Sequence, residues 1–366
     1  VSLSDARRGA LYLMQKDRFD LHRAFGGDAQ ARLDPADDET QELLAGTPRP
    51  TCCVLPGALY ILGVPVAIDG LPKGLLVIGD KESRQGVGPF SPADRRTLDL
   101  LANQAAIALE NADLHRQALE KERLEREIEL ASEIQRQILP KGTPQIPGYE
   151  LAGWNRPAKH IGGDYYDFFP FGGGRSWGLV LGDVSGKGVP AALLVSTLHS
   201  ALRLLLDRLE LGSDLFFRLN EHILASSAAN KFITLLAARL ETSTGELHYL
   251  NAGHNPGIIV RARGGVEQMG PGGLPLGLLP GVSCRTEVTT VEKGDLLCLY
   301  SDGITEAVGP EDVEFGFDRL AALLADARET PLEELMLRID REVSAHAGGL
   351  AQGDDQTVLL LRRTAS

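Results

Sequence analysis

Gly-Asp-Val-Ser-Gly-Lys-Gly at residues 182–188 belongs to a set of four short acidic segments in this chain of 366 residues. The others are Gly-Gly-Asp-Tyr-Tyr-Asp at 162–167, Ser-Asp-Gly at 301–303 and Gly-Asp-Asp-Gln-Thr at 353–357. Each places an Asp in a glycine-containing turn beside an apolar run that is typical of a β-strand. One such turn would indicate only a hairpin, but carboxylates at several strand ends are the oxygen ligands that Mg²⁺ and Mn²⁺ prefer. The set therefore predicts a metal site in the C-terminal half.

Composition excludes several classes of protein. The formal charge of −13 argues against a nucleic-acid partner, which would need a basic face, and against adsorption to anionic lipid. No apolar stretch is expected to reach the length of a membrane span, and no signal-peptide pattern opens the chain. The four cysteines lack zinc or disulfide spacing, so we expect reduced, buried thiols and a cytoplasmic protein. Because residue 1 is Val, we expect the sequence to be a fragment.

The first third of the chain reads as a small sheet followed by a long helix. Alternating apolar residues predict strands, and Ser91-Pro92 with Asp94 predicts the start of a helix that meets no Gly or Pro until Pro140. At about 1.5 Å per residue such a helix is roughly 70 Å long, so part of it must project from a small domain. The predicted strands are 6–15, 18–26, 58–69 and 73–80, with a short helix at 35–45.

These strands, together with Phe90-Ser-Pro-Ala-Asp94 and the apolar helix 101–114, resemble a GAF sensor domain over residues 1–114. The opening helix of that fold has no counterpart here, so we expect a domain whose front is truncated. The resemblance implies either a pocket for a small molecule or a structural role in dimerisation. No residue selects a ligand, and we favour dimerisation.

Residues 115–140 form the predicted helical linker. Leu114, Leu124, Ile128 and Ile138 fall on two heptad positions, whereas Gln117, Lys121 and Gln135 weaken the same seam. We predict a weak parallel coiled coil, a homodimer, and a regulatory role for Leu124, Ile128, Ile134 and Ile138. A solvated helix with pairs such as Glu122–Arg126 is the alternative.

After Pro140 the chain becomes rich in glycine and strand-like runs. Strands with helices inserted in pairs predict two packed sheets flanked by helices, an arrangement that brings distant strand ends together. The fold class is therefore α/β and α+β: a GAF-like sheet-and-helix domain, a helical linker and an α-β-β-α sandwich over 141–366. The predicted strands of the sandwich are 149–154, 165–171, 177–183, 231–241, 246–251, 256–261, 284–291, 295–301 and 357–363, and its helices are 189–207, 213–228, 316–327 and 331–346.

Six segments in this region resemble the bacterial metal-dependent serine/threonine phosphatases of the RsbU and SpoIIE type, which are related to protein phosphatase 2C. The resemblance spans about residues 129–363, with the segments in the expected order. The segments are Glu129–Pro140, Gly162–Asp167, Gly182–Ala191, Asn251–Pro256 (Asn-Ala-Gly-His-Asn-Pro), Tyr300–Glu306 and Gly353–Val358.

The resemblance implies a site with two Mn²⁺ or Mg²⁺ ions. By position, the metal-ligand aspartates are Asp164, Asp183, Asp302 and Asp354, of which Asp183 bridges the ions. The backbone carbonyl of Val184 helps to hold one ion. Asp355 is expected to support the ligands rather than to bind metal. Two such ions activate a water molecule for attack on phosphorus, so no covalent phosphoenzyme is required.

The group that binds the substrate phosphate is less well defined. Arg156, Lys159, Lys187 and the backbone around Gly163 are the candidates. His254 is either a general acid or a hydrogen-bonded structural residue, and its turn-forming neighbours favour the second interpretation.

The sequence thus predicts a phosphoprotein phosphatase that a GAF domain controls through the helical linker. The resemblance implies a phosphorylated anti-anti-sigma protein of the STAS fold as substrate, in partner-switching control of a sigma factor during stress. The alternative is a catalytically weak scaffold or sensor that uses the phosphatase fold only for binding.

Overall fold

The computed structural model describes residues 5–50, 53–83, 86–171, 173–206, 210–227 and 230–364. Two compact units divide the chain, Val1–Arg123 and Leu124–Ser366. The predicted domain borders at 114 and 140 stay predictions, since the helix that joins the units runs through both. Cys52 lies outside the described residues.

The first unit contains an antiparallel sheet whose strands run in the order β3-β2-β1-β6-β5-β4, with β7 paired to β6. One face packs around Tyr12, Phe19 and Leu43, and the other packs against the helix residues Leu98 and Ala102. The elements are β1 (Ala6–Gln15), β2 (Arg18–Phe25), β3 (Arg32–Leu33), α1 (Asp38–Leu44), β4 (Arg49–Pro50), β5 (Tyr60–Ile68), β6 (Leu71–Ser83) and β7 (Gly86–Gly88).

Helix α2 covers Pro92–Ile138, as its predicted start and length required. Ser91 and Asp94 cap it reciprocally: the Asp94 carboxylate accepts from the Ser91 amide at 2.7 Å, and the Asp94 amide donates to Ser91 Oγ at 3.3 Å. Lys81 contacts the same carboxylate at 2.7 Å.

The cysteines are less uniform than predicted. Cys284 and Cys298 are buried, and burial raises the pKa of each thiol. Cys53 is exposed, and its Sγ lies 2.8 Å from Glu39 Oε2, so the expectation of a buried thiol was wrong there.

The second unit is a two-sheet sandwich, and its strands are antiparallel. In the described residues the sheet orders are β15-β12-β11-β10-β9 and β14-β13-β16-β17-β8. Its elements are β8 (Tyr149–Arg156), β9 (Asp164–Phe171), β10 (Ser176–Val184), α3 (Val189–Leu206), α4 (Ser213–Ser226), β11 (Ile233–Glu241), β12 (Glu246–Ala252), β13 (Gly257–Val260), β14 (Val266–Met269), β15 (Thr286–Thr290), β16 (Leu296–Tyr300), α5 (Asp302–Thr305), α6 (Phe317–Asp326), α7 (Leu332–Ala347) and β17 (Gln356–Arg363).

Three apolar layers hold the sandwich together. The middle layer, with Leu181, Leu236 and Leu359, lies between the sheets. Helices α3 and α4 cover the first sheet, and α6 and α7 cover the second. The predicted α-β-β-α arrangement is therefore confirmed. The predictions missed β14 and the single helical turn α5, because segments this short carry little periodicity.

Helix α3 corrects one expectation from composition. It is long and apolar enough, by those two criteria, to cross a membrane. Its inner face, which includes Leu194, Val195, Leu198 and Leu202, is packed in the core of the sandwich. The apolar run therefore serves the sandwich core in this structure.

Candidate active site

The four predicted metal-ligand aspartates lie at strand ends that the sandwich brings to one edge. Asp164 opens β9, and Asp183 lies opposite it in the register of β9 and β10. Asp302 is the first residue of α5, two residues after the end of β16, and Asp354 lies two residues before β17. Because β16 and β17 are neighbours in the second sheet, each sheet supplies two carboxylates to the same edge.

Hydrogen bonds show that the two sheets meet at these residues. Thr357 Oγ1, from β17, donates to Asp164 Oδ2 at 2.5 Å. The hydroxyl of Ser301, from the start of α5, donates to the Asp355 carbonyl at 3.1 Å. Asp164 is only 2% exposed, so the Thr357 hydroxyl takes the place of water beside its carboxylate.

The electrostatics indicate an excess of negative charge. Burial and the charge of Asp183 raise the pKa of Asp164 well above its usual range. Burial and the charges of Asp302 and Asp354 raise the pKa of Asp183 to about 7. Burial and Asp354 likewise raise the pKa of Asp302. Such mutual elevation means that the carboxylates repel one another unless a cation or a proton intervenes.

The donor set fits a hard divalent cation in its chemistry. Within the described ranges, no three His, Cys, Asp or Glu side chains stand close enough together to hold an ion by themselves. Water and backbone oxygen would complete the shell of such an ion. The carbonyl of Val184 faces Gly163, where a Cβ atom would lie 2.9 Å from it. A side chain at 163 would fill the space that this carbonyl faces.

The Asp355 side chain is hydrogen-bonded to two backbone amides near Asp164. It is buried, and its carboxylate accepts from the amide of Ala158 at 2.7 Å and from the amide of Gly163. These bonds fix the turn that carries Asp164. The Gly163 amide is thereby engaged, which weighs against its predicted role in binding phosphate.

The position after Asp302, in the Ser-Asp-Gly segment, has no room for a side chain. A Cβ atom at 303 would lie 2.1 Å from the carbonyl oxygen of Asp355. Only glycine therefore lets α5 approach the loop before β17, and this approach brings Asp302 toward Asp354.

The three basic residues predicted as candidates for binding the substrate phosphate differ in their contacts. The Lys187 ammonium donates to the carbonyl of Gly353 and lies 3.0 Å from Asp354 Oδ2. Arg156 is ion-paired with Asp340 of α7 and stacks over Trp154 at 4.7 Å. Lys159 is exposed. Lys187 is thus the cation in contact with a predicted metal ligand.

The structure adds residues that the sequence did not single out for this site. The Gln135 side chain, near the end of α2, donates to the Gly162 carbonyl at 2.7 Å and accepts from its amide at 3.2 Å. Lys231 donates to the Ser185 carbonyl at 2.8 Å and so holds the loop after Val184. Gln135 was interpreted as a residue that weakens the coiled coil. The sequence did offer one signal for this residue, because Gln135 lies within the Glu129–Pro140 segment that resembles the phosphatases.

His254 is a structural residue, as its neighbours suggested. It is 4% exposed, its amide donates to Asn251 Oδ1 at 2.8 Å, and its Nδ1 lies 2.8 Å from Thr234 Oγ1. Thr234 pairs with Asp183 in the sheet. Burial lowers the pKa of His254 to about 4, so the ring is neutral near pH 7.

The linker residues divide into two groups. Ile138 packs, with Leu139, against the core that contains α3 and α4. Leu124 and Ile134 are exposed by more than half, and Ile128 is partly buried. We expected the last turn of α2, from Ile134 to Leu139, to pack against the helices that follow Asp183; Ile138 and Leu139 do so, but the Ile134 side chain is 55% exposed, so the expectation was wrong for that residue.

Comparisons with known proteins agree with this architecture. The family model described as stage II sporulation protein E matches residues 173–364, and a GAF domain model matches residues 1–111. The chain is 32% identical over 181 residues to phosphoserine phosphatase RsbU of Bacillus subtilis, covering 49% of this chain and 53% of that protein. It is 27% identical over 264 residues to protein IcfG of Synechocystis, covering 65% of this chain and 41% of that protein. The chain thus spans about half the length of these curated relatives.

Two solved structures share the fold. The SiaA-PP2C domain of Pseudomonas aeruginosa superposes with a TM-score of 0.60 at 19% identity, covering 67% of this chain and 99% of that domain. The RsbU and RsbW domains of a Mycobacterium tuberculosis protein give a TM-score of 0.54 at 26% identity, covering 61% of this chain and 64% of theirs. With a family model over more than half of its length, the chain belongs to the stage II sporulation protein E family, and a GAF domain precedes its PP2C-type phosphatase fold.

Proposed function

We propose that this protein is a metal-dependent serine/threonine phosphoprotein phosphatase. The observation that carries the proposal is the pairing of the buried Asp164 with the half-buried Asp183, with Asp302 and Asp354 brought to them from the facing sheet. A binding scaffold would gain nothing from gathering carboxylates whose charges raise the pKa of Asp164, Asp183 and Asp302. The name of the relative RsbU, a phosphoserine phosphatase, supports the same chemistry.

In this proposal Asp164, Asp183, Asp302, Asp354 and the Val184 carbonyl hold two ions, Mn²⁺ or Mg²⁺. When bound, such ions supply an activated water molecule and neutralise phosphate charge. The protein's part is placement: Thr357 orients the Asp164 carboxylate, and Asp355 fixes the turn before it. Lys187, beside Asp354, is the nearest candidate for contact with the substrate phosphate.

Hydrolysis of p-nitrophenyl phosphate tests the proposal directly. We expect turnover by the full chain with Mn²⁺ and none in excess EDTA. Asp183→Asn should lose at least a hundredfold in kcat, because it removes a charge shared by both ions. Asp318→Asn, an exposed carboxamide substitution on α6, is the matched control and should keep full activity. Turnover that persists in EDTA would refute the metal requirement.

We further propose that the GAF domain regulates the phosphatase through α2 in a cytoplasmic homodimer. The support is the pair of hydrogen bonds between the Gln135 side chain and the backbone of Gly162, which is two residues from Asp164. A small change in the last turns of α2 would shift the turn that carries this ligand. Mg²⁺ demands near-ideal octahedral geometry, so a small shift changes affinity.

The proposed substrate is a phosphorylated STAS-type anti-anti-sigma protein, and its support is the family relationship. Incubation with phospho-STAS proteins from the same genome should release phosphate. If those proteins stay phosphorylated while other phosphoproteins are hydrolysed, the substrate assignment falls and the phosphatase assignment stands.

A further inference from the structure

A cavity of about 450 Å³ adjoins the carboxylate edge within the second unit. It lies between the turn of α5, the C-terminal part of α7 and the loop before β17. Asp354 and Gly303 line it on the side of the carboxylates, so the cavity and the candidate active site share a wall. Its volume lies in the range of protein ligand sites.

The far wall of this cavity is apolar and open to solvent at its rim. Leu350 and Val308 are 53% and 39% exposed there, and the buried Val343 lies deeper. Exposed aliphatic side chains at the mouth of a cavity lose water when an apolar group enters, which favours binding.

The polar part of the lining is acidic in balance. Arg156 lines the cavity, but Asp340 already neutralises its guanidinium. Glu306 faces the same space with no partner of opposite charge among the other lining residues. A basic side chain is the complement of such a lining.

The rim is held in place by specific contacts. The Gln352 side chain donates to the carbonyls of Arg156 and Asp354, both at 2.8 Å. The loop that presents Leu350 is therefore tied to β8 on one side and to the candidate metal ligand on the other. A side chain seated in the cavity would contact groups that also position Asp354.

We propose that this cavity binds the polypeptide segment that flanks the phosphorylated residue of the substrate, taking an apolar side chain against Leu350 and Val308 and a Lys or Arg toward Glu306. The proposal rests on the proposed phosphatase function. An extended chain advances about 3.3 Å per residue, so a neighbour two or three residues from the phosphoserine reaches the cavity. A small aryl phosphate has no segment that could enter it.

Kinetics with two synthetic phosphoserine peptides and with p-nitrophenyl phosphate test the inference on the full chain with Mn²⁺. One peptide carries Leu and Lys within three residues on each side of the phosphoserine, and the other carries Gly and Glu at the same positions. We expect the wild type to prefer the Leu-Lys peptide at least tenfold in kcat/KM. Leu350→Asp should lower the ratio of peptide to aryl-phosphate kcat/KM at least tenfold, through KM.

Matched variants separate the outcomes. Leu337→Asp places the same change at an exposed leucine of α7 outside the cavity and should leave the ratio unchanged. Glu306→Gln should reduce the preference for the Leu-Lys peptide, and Leu350→Ser replaces Leu350→Asp if the latter fails to fold. Equal use of both peptides, or an unchanged ratio in the Leu350 variants, would overturn the inference while leaving the phosphatase intact. A wild type without aryl-phosphate turnover would instead remove the proposed function beneath it.

Discussion

At the scale of single residues, the site is governed by four carboxylates that the fold brings to one edge of the sandwich. Asp164 and Asp183 oppose each other across two strands, and the facing sheet adds Asp302 and Asp354. Lys187 is the one cation that the described residues place against these four, beside Asp354. The repulsion among the carboxylates is what a metal ion would relieve.

Lys187→Met should tighten Mn²⁺ binding, because it removes an ammonium that competes for Asp354 and repels the incoming ion. A partly exposed ion pair is worth up to about 1 kcal/mol, so we expect Kd to fall about two- to fivefold. Titration calorimetry measures this Kd, with Lys159→Met, a change at another exposed lysine, as control. Weaker binding by Lys187→Met would show that the lysine supports the ligands instead.

His254 should make the second unit sensitive to acid. Its folded pKa of about 4 lies below the ordinary value of 6.5, so between these values the unfolded chain binds a proton that the folded chain refuses. The contribution of the neutral His254 ring to the free energy of unfolding is therefore fully present above pH 6.5. It falls as the pH drops toward 4, by about 3 kcal/mol at most.

Urea unfolding from pH 7.5 to 4.5 would measure this effect. His254→Gln should be less stable than the wild type at pH 7.5, because it loses the hydrogen bond to Thr234. The difference should shrink as the pH falls, since Gln does not titrate. A constant difference across the pH range would contradict the assignment.

At the scale of elements, the sequence carried the long strands, the capped helix and the order of the metal motifs, because each has a local signal. The start of α2 at Ser91 is an example of a feature with a local signal. The contact between the two sheets through Thr357 and Asp164 is an example of a feature without one. The first follows from capping chemistry, whereas the second joins residues far apart in sequence. The Glu129–Pro140 segment marks Gln135 as part of the phosphatase motif, but its partner could not be predicted, since Gly162 lies 27 residues away.

Gln135→Ala should lower turnover without touching a metal ligand. It removes both bonds to the Gly162 backbone, so the turn before Asp164 loses its support. We expect at least a tenfold loss of kcat at limiting Mn²⁺ and partial recovery at saturating Mn²⁺. Gln137→Ala, exposed two residues later on the same helix, should behave as the wild type. Equal behaviour of the two variants would exclude control through this contact.

At the scale of the whole molecule, α2 carries a row of exposed apolar residues over its middle. Leu114 and Leu124 are 57% and 54% exposed in the single chain. Exposed leucines on a long charged helix are typical of a surface that pairs with a second helix. This pattern supports the predicted homodimer.

Substituting Leu124 and Ile128 with Asp should convert a dimer into a monomer, because two buried charges would face each other across the seam. Light scattering measures the mass of the full chain. Leu119→Asp with Leu130→Asp is the matched control, since both leucines are exposed but lie off the predicted seam. If the wild type is already a monomer, the predicted homodimer is wrong and α2 only connects the two units.

The central claim is that this fold assembles a two-ion centre from four strand-end aspartates. Calorimetric titration of Mn²⁺ into the metal-free full chain tests it most directly. We predict about two ions per chain, with affinity that rises between pH 6 and pH 8, because the pKa of Asp183 is raised to about 7 and the proton must leave before metal binds. Asp183→Asn should abolish this binding. Stoichiometric binding by Asp183→Asn equal to that of the wild type, or no binding by the wild type, would contradict the account.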